Sequence, residues 1–438
     1  MKKPASQMLG FSFAPWTSAA GAASAAACAA CITLCSAAPL ARAQPAGARA
    51  DPAAEAEVLT RQGRALIHAG KLEQAREDLR KAARLRGQAL PALYELARVE
   101  FASGDYRKSR SACKALTDKD ANAALSNVCV ARTFLVWRRA SRAQEYIEKA
   151  RATADRDPEV LLALADMQRM SGEATASKDS YQQVLALDPN AVDAYFGLGQ
   201  LYLVTPDAAA AQKAFRQALQ REPQWPDAQY ELGQLVGGTE AVTLLEQALA
   251  LRPDWPQARL ALGEARLRAG DAAAAEALFR EVLKKDSGNA LAHARLGMAL
   301  EAKHDLDLAE KELKLGLAGV STDADAARTL ARVYAQTDRT DDALAQYRVA
   351  STLEHGGSRA LIEAGVYSLK VSRNALAQAF LEKALERTPR SAQAHARYAD
   401  VLLARGDKAK AKEHYQLALS GEGELDRAAV QQSLATVK

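Results

Sequence analysis

The sequence predicts an all-α fold, a solenoid of about eleven stacked helix pairs finished by one further helix. Three observations predict it. The 438-residue chain repeats itself with a period of 34 residues. Two fixed places in each period hold small residues, and a third holds a bulky one. The composition is 49% hydrophobic but only 5% aromatic, which suits alanine-packed helices better than strands.

The period is plainest in residues 192–223, "VDAYFGLGQLYLVTPDAAAAQKAFRQALQREP". Units of this kind begin near residues 56, 90, 124, 158, 192, 226, 256, 290, 324, 358 and 392. Every step is 34 residues except one of 30, at 226. Position 8 of each unit reads Gly63, Ala97, Ala131, Ala165, Gly199, Gly233, Gly263, Gly297, Ala331, Gly365 and Ala399. Position 20 is as strict, running from Ala75 and Ser109 to Ala377 and Ala411. Position 24 carries the filler, among them Leu79, Cys113, Ile147, Tyr181, Phe215, Phe279 and Tyr415. Small and large residues at fixed spacing are what two closely crossing helices require.

Turn chemistry divides each unit into a helix A and a helix B. Gly70, Gly104, Gly172, Gly270 and Gly406 stand at position 15, where helix A must stop. Asp105, Asp271, Asp305 and Asp407 follow and are placed to cap helix B. Pro189, Pro223, Pro253 and Pro389 end helix B. A lone pair cannot bury its apolar face, so stacked copies share a core and the last needs a polar cover. Residues 425–434, "LDRAAVQQSL", read as that capping helix.

Tyr195, Leu198, Gly199, Tyr202, Ala211, Phe215, Ala218 and Pro223 fall at positions 4, 7, 8, 11, 20, 24, 27 and 32. In these places the chain resembles the tetratricopeptide repeat (TPR) family. The resemblance implies a right-handed superhelix with helices A on the concave face. RNA-reading pentatricopeptide arrays have a 35-residue period and a basic groove, and fit less well.

The amino-terminal segment reads differently. Lys2 and Lys3 precede an alanine-rich apolar stretch from about residue 19 to 40 that ends in Ala41-Arg42-Ala43. This predicts a signal peptide over 1–43, cleaved before Gln44, and a periplasmic protein. An uncleaved anchor and a lipoprotein are the alternatives. Removing 1–43 leaves 55 basic against 53 acidic residues, so neither nucleic acid nor an acidic membrane surface is expected as partner. The remaining organisation is a flexible linker over 44–55, units 1–5 over 56–225, a shortened unit 6 over 226–255, units 7–11 over 256–424, and the cap and tail over 425–438. No membrane span is expected after the leader.

No catalytic constellation emerges. The six histidines form no HExxH pair, and there is no GxSxG elbow. His293 and His395 sit at position 4, on the packed face. The stretch Gly233-Gln-Leu-Val-Gly-Gly238-Thr239 has phosphate-loop spacing but lies in a helix A and lacks the lysine. The missing four residues of unit 6 fall there. Gly237 and Gly238 are expected to turn the shortened corner, Thr239 to cap helix B, and the superhelical curvature to change at this joint. No cofactor or metal is expected. Cys113 and Cys129 lie on adjacent helices of units 2 and 3 and are either a disulfide or two buried thiols.

A partner is expected in the concave groove, by the resemblance. Position 9 reads Arg64, Arg98 and Arg132 in the first three units, a cationic ladder suited to carboxylates or an acidic peptide. Tyr94, Phe101, Leu125, Val128, Leu135, Phe196, Leu203 and Tyr230 stand beside it as apolar anchors. A superhelix that buries these residues on itself is the competing reading. No unit has Lys at position 5 with Asn at position 9, so the chain does not resemble the carboxylate-clamp cochaperones. The function expected is a non-catalytic protein or peptide-binding scaffold of the bacterial cell envelope, for exopolysaccharide export, a pilus or a secretion assembly. A periplasmic holdase and a cytoplasmic adaptor are the alternatives.

Overall fold

A computed structural model describes residues 51–85 and 89–437. The expected leader lies outside these residues, as does the expected linker up to residue 50. Among the described residues the chain forms 23 helices and no strand. The first eleven are α1 (Pro52–His68), α2 (Leu72–Ala82), α3 (Ala89–Ala102), α4 (Tyr106–Lys119), α5 (Ala124–Val136), α6 (Ala140–Ala154), α7 (Pro158–Met170), α8 (Ala174–Leu187), α9 (Val192–Val204), α10 (Ala208–Arg221) and α11 (Pro226–Leu235). The next six are α12 (Gly238–Leu251), α13 (Pro256–Arg268), α14 (Ala272–Lys285), α15 (Ala290–Ala302), α16 (Leu306–Gly319) and α17 (Ala324–Gln336). The last six are α18 (Thr340–Leu353), α19 (Arg359–Lys370), α20 (Asn374–Arg387), α21 (Ala392–Ala404), α22 (Lys408–Ser420) and α23 (Arg427–Thr436). Odd helices through α21 are helices A, even ones helices B, and α23 is the cap. Helix α1 starts at Pro52, capped by the Asp51 side chain on the Ala53 amide, so the expected linker is helical from 52 onward.

The A–B turn is a left-handed stop. Gly70, Gly104, Gly172, Gly270 and Gly406 all have positive φ, between 73° and 86°, where a Cβ is penalised. Four repeats place a side chain in the same conformation at the same register: Arg138, His304, Asp338 and Ser372, with φ from 55° to 62°. Asp105, Asp271 and Asp407 accept from the amides of Lys108, Ala274 and Lys410 at 3.0–3.1 Å, satisfying a free helix-start donor. Asp305 occupies the cap position of α16 without a side-chain bond. Thr239 is not a cap either. Helix α12 starts one residue earlier, at Gly238 with φ 62°, and Thr239 sits in its first turn, its carbonyl accepting from the Thr243 hydroxyl at 3.0 Å.

Positions 8 and 24 meet as the pattern requires. A Cβ built on Gly199 would lie 2.5 Å from the Phe215 ring, and one on Gly63 would lie 2.5 Å from Leu79. Phe215 and Leu79 are fully buried. In repeat 4, Ala165 tolerates Tyr181, whose hydroxyl donates to Asp166 at 2.6 Å.

The chain forms two compact units. One ends at Leu235 and takes in Ala250–Arg252; the other comprises Val236–Leu249 and the residues from Pro253 on. The boundary thus falls inside the short sixth repeat. The second unit has a large core that runs from Leu260 to Val437 and a small separate cluster of Ala327, Ala350 and Ala360. Its cap α23 buries Val430 and packs Leu434 against that core. In the first unit Cys113 and Cys129, both buried, are bonded to each other with Cα atoms 5.4 Å apart. They join α4 to α5.

Candidate partner groove

Helices α1, α3, α5, α7 and α9 turn their helix-A faces toward a common interior, and the ladder arginines lie on it. They do not stand open. Arg64 donates from Nε to Glu95 at 2.8 Å and from Nη2 to Glu159 at 2.6 Å. Arg98 donates to Asp193 at 2.9 Å and to Glu95 at 3.4 Å. Arg132 reaches Asp166 only at 3.8 Å, and its guanidinium lies 6.0 Å from the centre of the Tyr94 ring. His68, at position 13 of repeat 1, faces Glu222 through Nδ1 and Asp193 through Nε2. Its ring stacks on Trp225 at 4.1 Å, and Trp225 stacks on Phe196 at 4.5 Å.

These contacts join distant repeats. Arg64 and Glu159 are 95 residues apart, as are Arg98 and Asp193, and His68 and Glu222 are 154 apart. Repeats 1 and 2 therefore touch repeats 4 and 5 across the groove. In the second unit the analogous pairs Arg295–Glu264 and Arg332–Glu301 join adjacent repeats, 31 residues apart.

The expectation of exposed groove residues is corrected accordingly. Arg98, Tyr94, Val128 and Leu135 are buried. Arg64, Arg132, Phe101, Leu125, Phe196, Leu203 and Tyr230 are half-buried. Phe101 and Leu125 pack against the cluster that holds Tyr94, Val128 and Leu135. The causes are two: the apolar residues of repeats 2 and 3 pack between neighbouring helices, and the long charged side chains of repeats 1 and 2 reach repeats 4 and 5. A crevice of about 530 Å³ remains where α1 meets the end of α10, lined by Leu66, Lys71, Asp78, Arg221 and Glu222 among others.

The electrostatics follow from burial against pairing. Burial works against the charged form of His68, but the charge of Asp193 and hydrogen bonds to Asp193 and Glu222 outweigh it and push the imidazole up to about 9. It is then an imidazolium, donating from both nitrogens. Burial also opposes ionisation of Asp193, yet Arg98 and His68 hold it well below the usual carboxylate range. Arg64, Arg98 and Arg132 likewise depress Glu159. Burial raises the Tyr94 hydroxyl. Several buried polar atoms here have no hydrogen-bond partner: Tyr94 Oη, Glu95 Oε2 (3.4 Å from Arg98 Nη1 as an ion pair), Glu159 Oε2, and Nε and Nη2 of Arg132.

Sequence reasoning missed the partners of the ladder. Glu159 and Asp193 both occupy position 2 and His68 occupies position 13, registers that the resemblance to the repeat family turns into the groove together with position 9. The same register rule that singled out the arginines would have found them. His293 and His395 are structural: each donates from Nε2 to the preceding loop carbonyl, Ser287 or Pro389, at 3.0 and 2.9 Å, and its Nδ1 meets Glu312 or His414 on helix B.

The molecule is a repeat solenoid of helix pairs, of a kind that is typically non-catalytic. Tetratricopeptide repeat family models match residues 66–129, 170–211, 238–290, 263–323 and 363–429, together more than half of the chain. The chain belongs to the tetratricopeptide repeat family, whose members mediate protein–protein interactions. A curated relative is the type IV pilus assembly protein PilF of Pseudomonas aeruginosa, 26% identical over 164 residues, which are 37% of this chain. The match spans 65% of that protein's own length. Similar solved structures include yeast Tom70, 13% identical with a TM-score of 0.47, covering 87% of this chain and 95% of that one. Another is YrrB, described as a TPR protein with an unusual peptide-binding site, 25% identical with a TM-score of 0.37, covering 39% and 91%. No helix among the described residues is long and apolar enough to cross a membrane.

Proposed function

We propose that the chain is an exported, non-catalytic scaffold that docks a protein segment along its helix-A faces within a cell-envelope assembly. Pilus assembly is the assembly its curated relative supports. The observation that carries the docking role is the convergence of charged and aromatic side chains from five successive repeats on one interior face. The leader supports export, and the short sixth repeat is the joint between two arrays.

Cell fractionation and partner capture test this. The expected result is mature protein starting at Gln44 in the periplasm, crosslinked to one defined set of envelope proteins. Full-length protein in the cytosol would remove export from the proposal. The holdase reading has one observation in its favour. Val136, Trp137, Met170 and Val204 stand 40–56% exposed at the ends of three successive A helices, an apolar rim open to clients. A holdase suppresses aggregation of unrelated proteins; a scaffold does not.

A further inference from the structure

The arginines of the first unit's groove are paired with acidic side chains of distant repeats of the same chain. We propose that Glu159 and Asp193 occlude this groove as internal stand-ins, and that its external partner is an acidic polypeptide segment whose carboxylates take their place on Arg64 and Arg98. The inference rests on the docking role proposed above and specifies the partner's chemistry.

Three observations carry it. The first is which bonds close the groove. Arg64–Glu159, Arg98–Asp193 and His68–Asp193 span three or four repeats. Among the described residues no backbone hydrogen bond joins repeats 1 and 2 to repeats 4 and 5. The apolar clusters of Ile67–Leu79–Val99 and of Val192–Trp225–Ala228 are separate. A third cluster runs from Tyr94 of repeat 2 to Met167 of repeat 4, so it is the contacts of repeats 1 and 2 with repeat 5 that consist of ion pairs and the His68–Trp225 stack. Buried ion pairs repay little beyond their own desolvation, so exchanging one carboxylate for another is nearly neutral.

The second observation is that the ladder is incomplete. Arg132 keeps two buried N–H groups, at Nε and Nη2, without an acceptor, and the fully buried Tyr94 hydroxyl beside it has none either. These are donors that a further carboxylate would satisfy. The third is charge: Arg64, Arg98 and Arg132 recur once per repeat on the same register, a series of guanidinium groups that the carboxylates of an acidic segment pair with. The rungs lie inside the curve of five repeats, which a bilayer surface does not enter.

The test uses the mature protein and a fluorescein-labelled deca-glutamate peptide, with binding read by anisotropy. In the variant E159Q/D193N the stand-ins lose their charge, and the peptide is expected to bind about tenfold tighter or more than to wild type. Adding R64Q/R98Q to that variant is expected to abolish the gain. Hydrogen exchange should rise on α1 and α9 in E159Q/D193N while α13–α22 stay unchanged, showing an opened groove in a folded chain. Equal affinity for wild type and E159Q/D193N overturns the inference, as does a gain that survives R64Q/R98Q. A gain matched by deca-lysine, or exceeded by a single-stranded oligonucleotide, overturns it too. If the inference fails while the envelope partner still crosslinks, the scaffold reading stands alone. Loss of the crosslink in wild type would instead fault the scaffold reading.

Discussion

The substitution Gly199→Ala puts the packing argument at risk. Gly199 is in α9, and a Cβ there would lie 2.5, 2.7 and 2.7 Å from three atoms of the Phe215 ring. Carbon contacts settle near 3.5–4.0 Å, so the methyl intrudes by about 1 Å. The ring is 0% exposed and has no open side to move toward. Overpacking of this kind costs about 1–3 kcal/mol. Replacing a helical glycine by alanine gives back about 1 kcal/mol. The net expectation is a loss of about 1 kcal/mol, with amide protection in α9 and α10 falling roughly fivefold. Hydrogen exchange is the right assay, because repeat arrays do not unfold as one two-state unit. Repeat 3 supplies a control, since there Ala131 pairs with Ile147, both fully buried. The double variant Gly199→Ala/Phe215→Ile rebuilds that pair, and should show a favourable coupling of about 1 kcal/mol relative to the two single changes. If Gly199→Ala raises protection in α9, helix propensity dominates, and the small residue at position 8 is not there to admit position 24.

Other outcomes follow from single features. Arg138→Gly and His304→Gly relieve left-handed backbone at a turn where five other repeats already have glycine, and each should stabilise its repeat by about 0.5–1 kcal/mol in denaturant-dependent exchange. In protein starting at Gln44, thiol titration after unfolding without reductant should find no free thiol, given the Cys113–Cys129 bond. Replacing both by serine should destabilise repeats 2 and 3 by about 2–3 kcal/mol, the loop between them being short. His68 sets an alkaline limit on the closed groove. Its pKa rises from 6.5 to about 9 on folding, so its contribution is full below about pH 6.5 and is lost as pH climbs through 9. Asp193 and Glu159 shift down, so theirs is present at neutral pH and lost in acid. Trp225 fluorescence, followed from pH 6 to 10, should change with a midpoint near 9 in wild type and stay flat in His68→Gln; a flat wild-type profile would refute the pairing of His68 with Asp193 and Glu222.

The helix pairs were legible because their determinants are local. Position 8 touches position 24 within one repeat, as Gly63 touches Leu79 and Gly199 touches Phe215. Glycine at the turn, in five repeats, and aspartate after it, in four, act over three or four residues, and the small residue at position 8 recurs in all eleven. The terminal cap was legible for the same reason: its amphipathic pattern lies in ten contiguous residues. The exceptions were also local. Asp305 holds the cap position without its capping bond, and Thr239 lies past the helix start because a one-residue shift at a helix end leaves the pattern unchanged.

The groove was legible only by halves. The resemblance of the repeat to its family implied which registers face inward, and so placed Arg64, Arg98 and Arg132 on that face. It did not determine what they meet. Whether Arg64 finds water, a partner or Glu159, 95 residues away, depends on curvature summed over every joint from repeat 1 to repeat 4. A small rotation per repeat, set by how each pair of helices beds on the next, accumulates until the two ends either approach or miss. That sum is encoded nowhere in a 34-residue period, so tertiary structure alone decided that the arginine ladder of this chain is answered by its own acids.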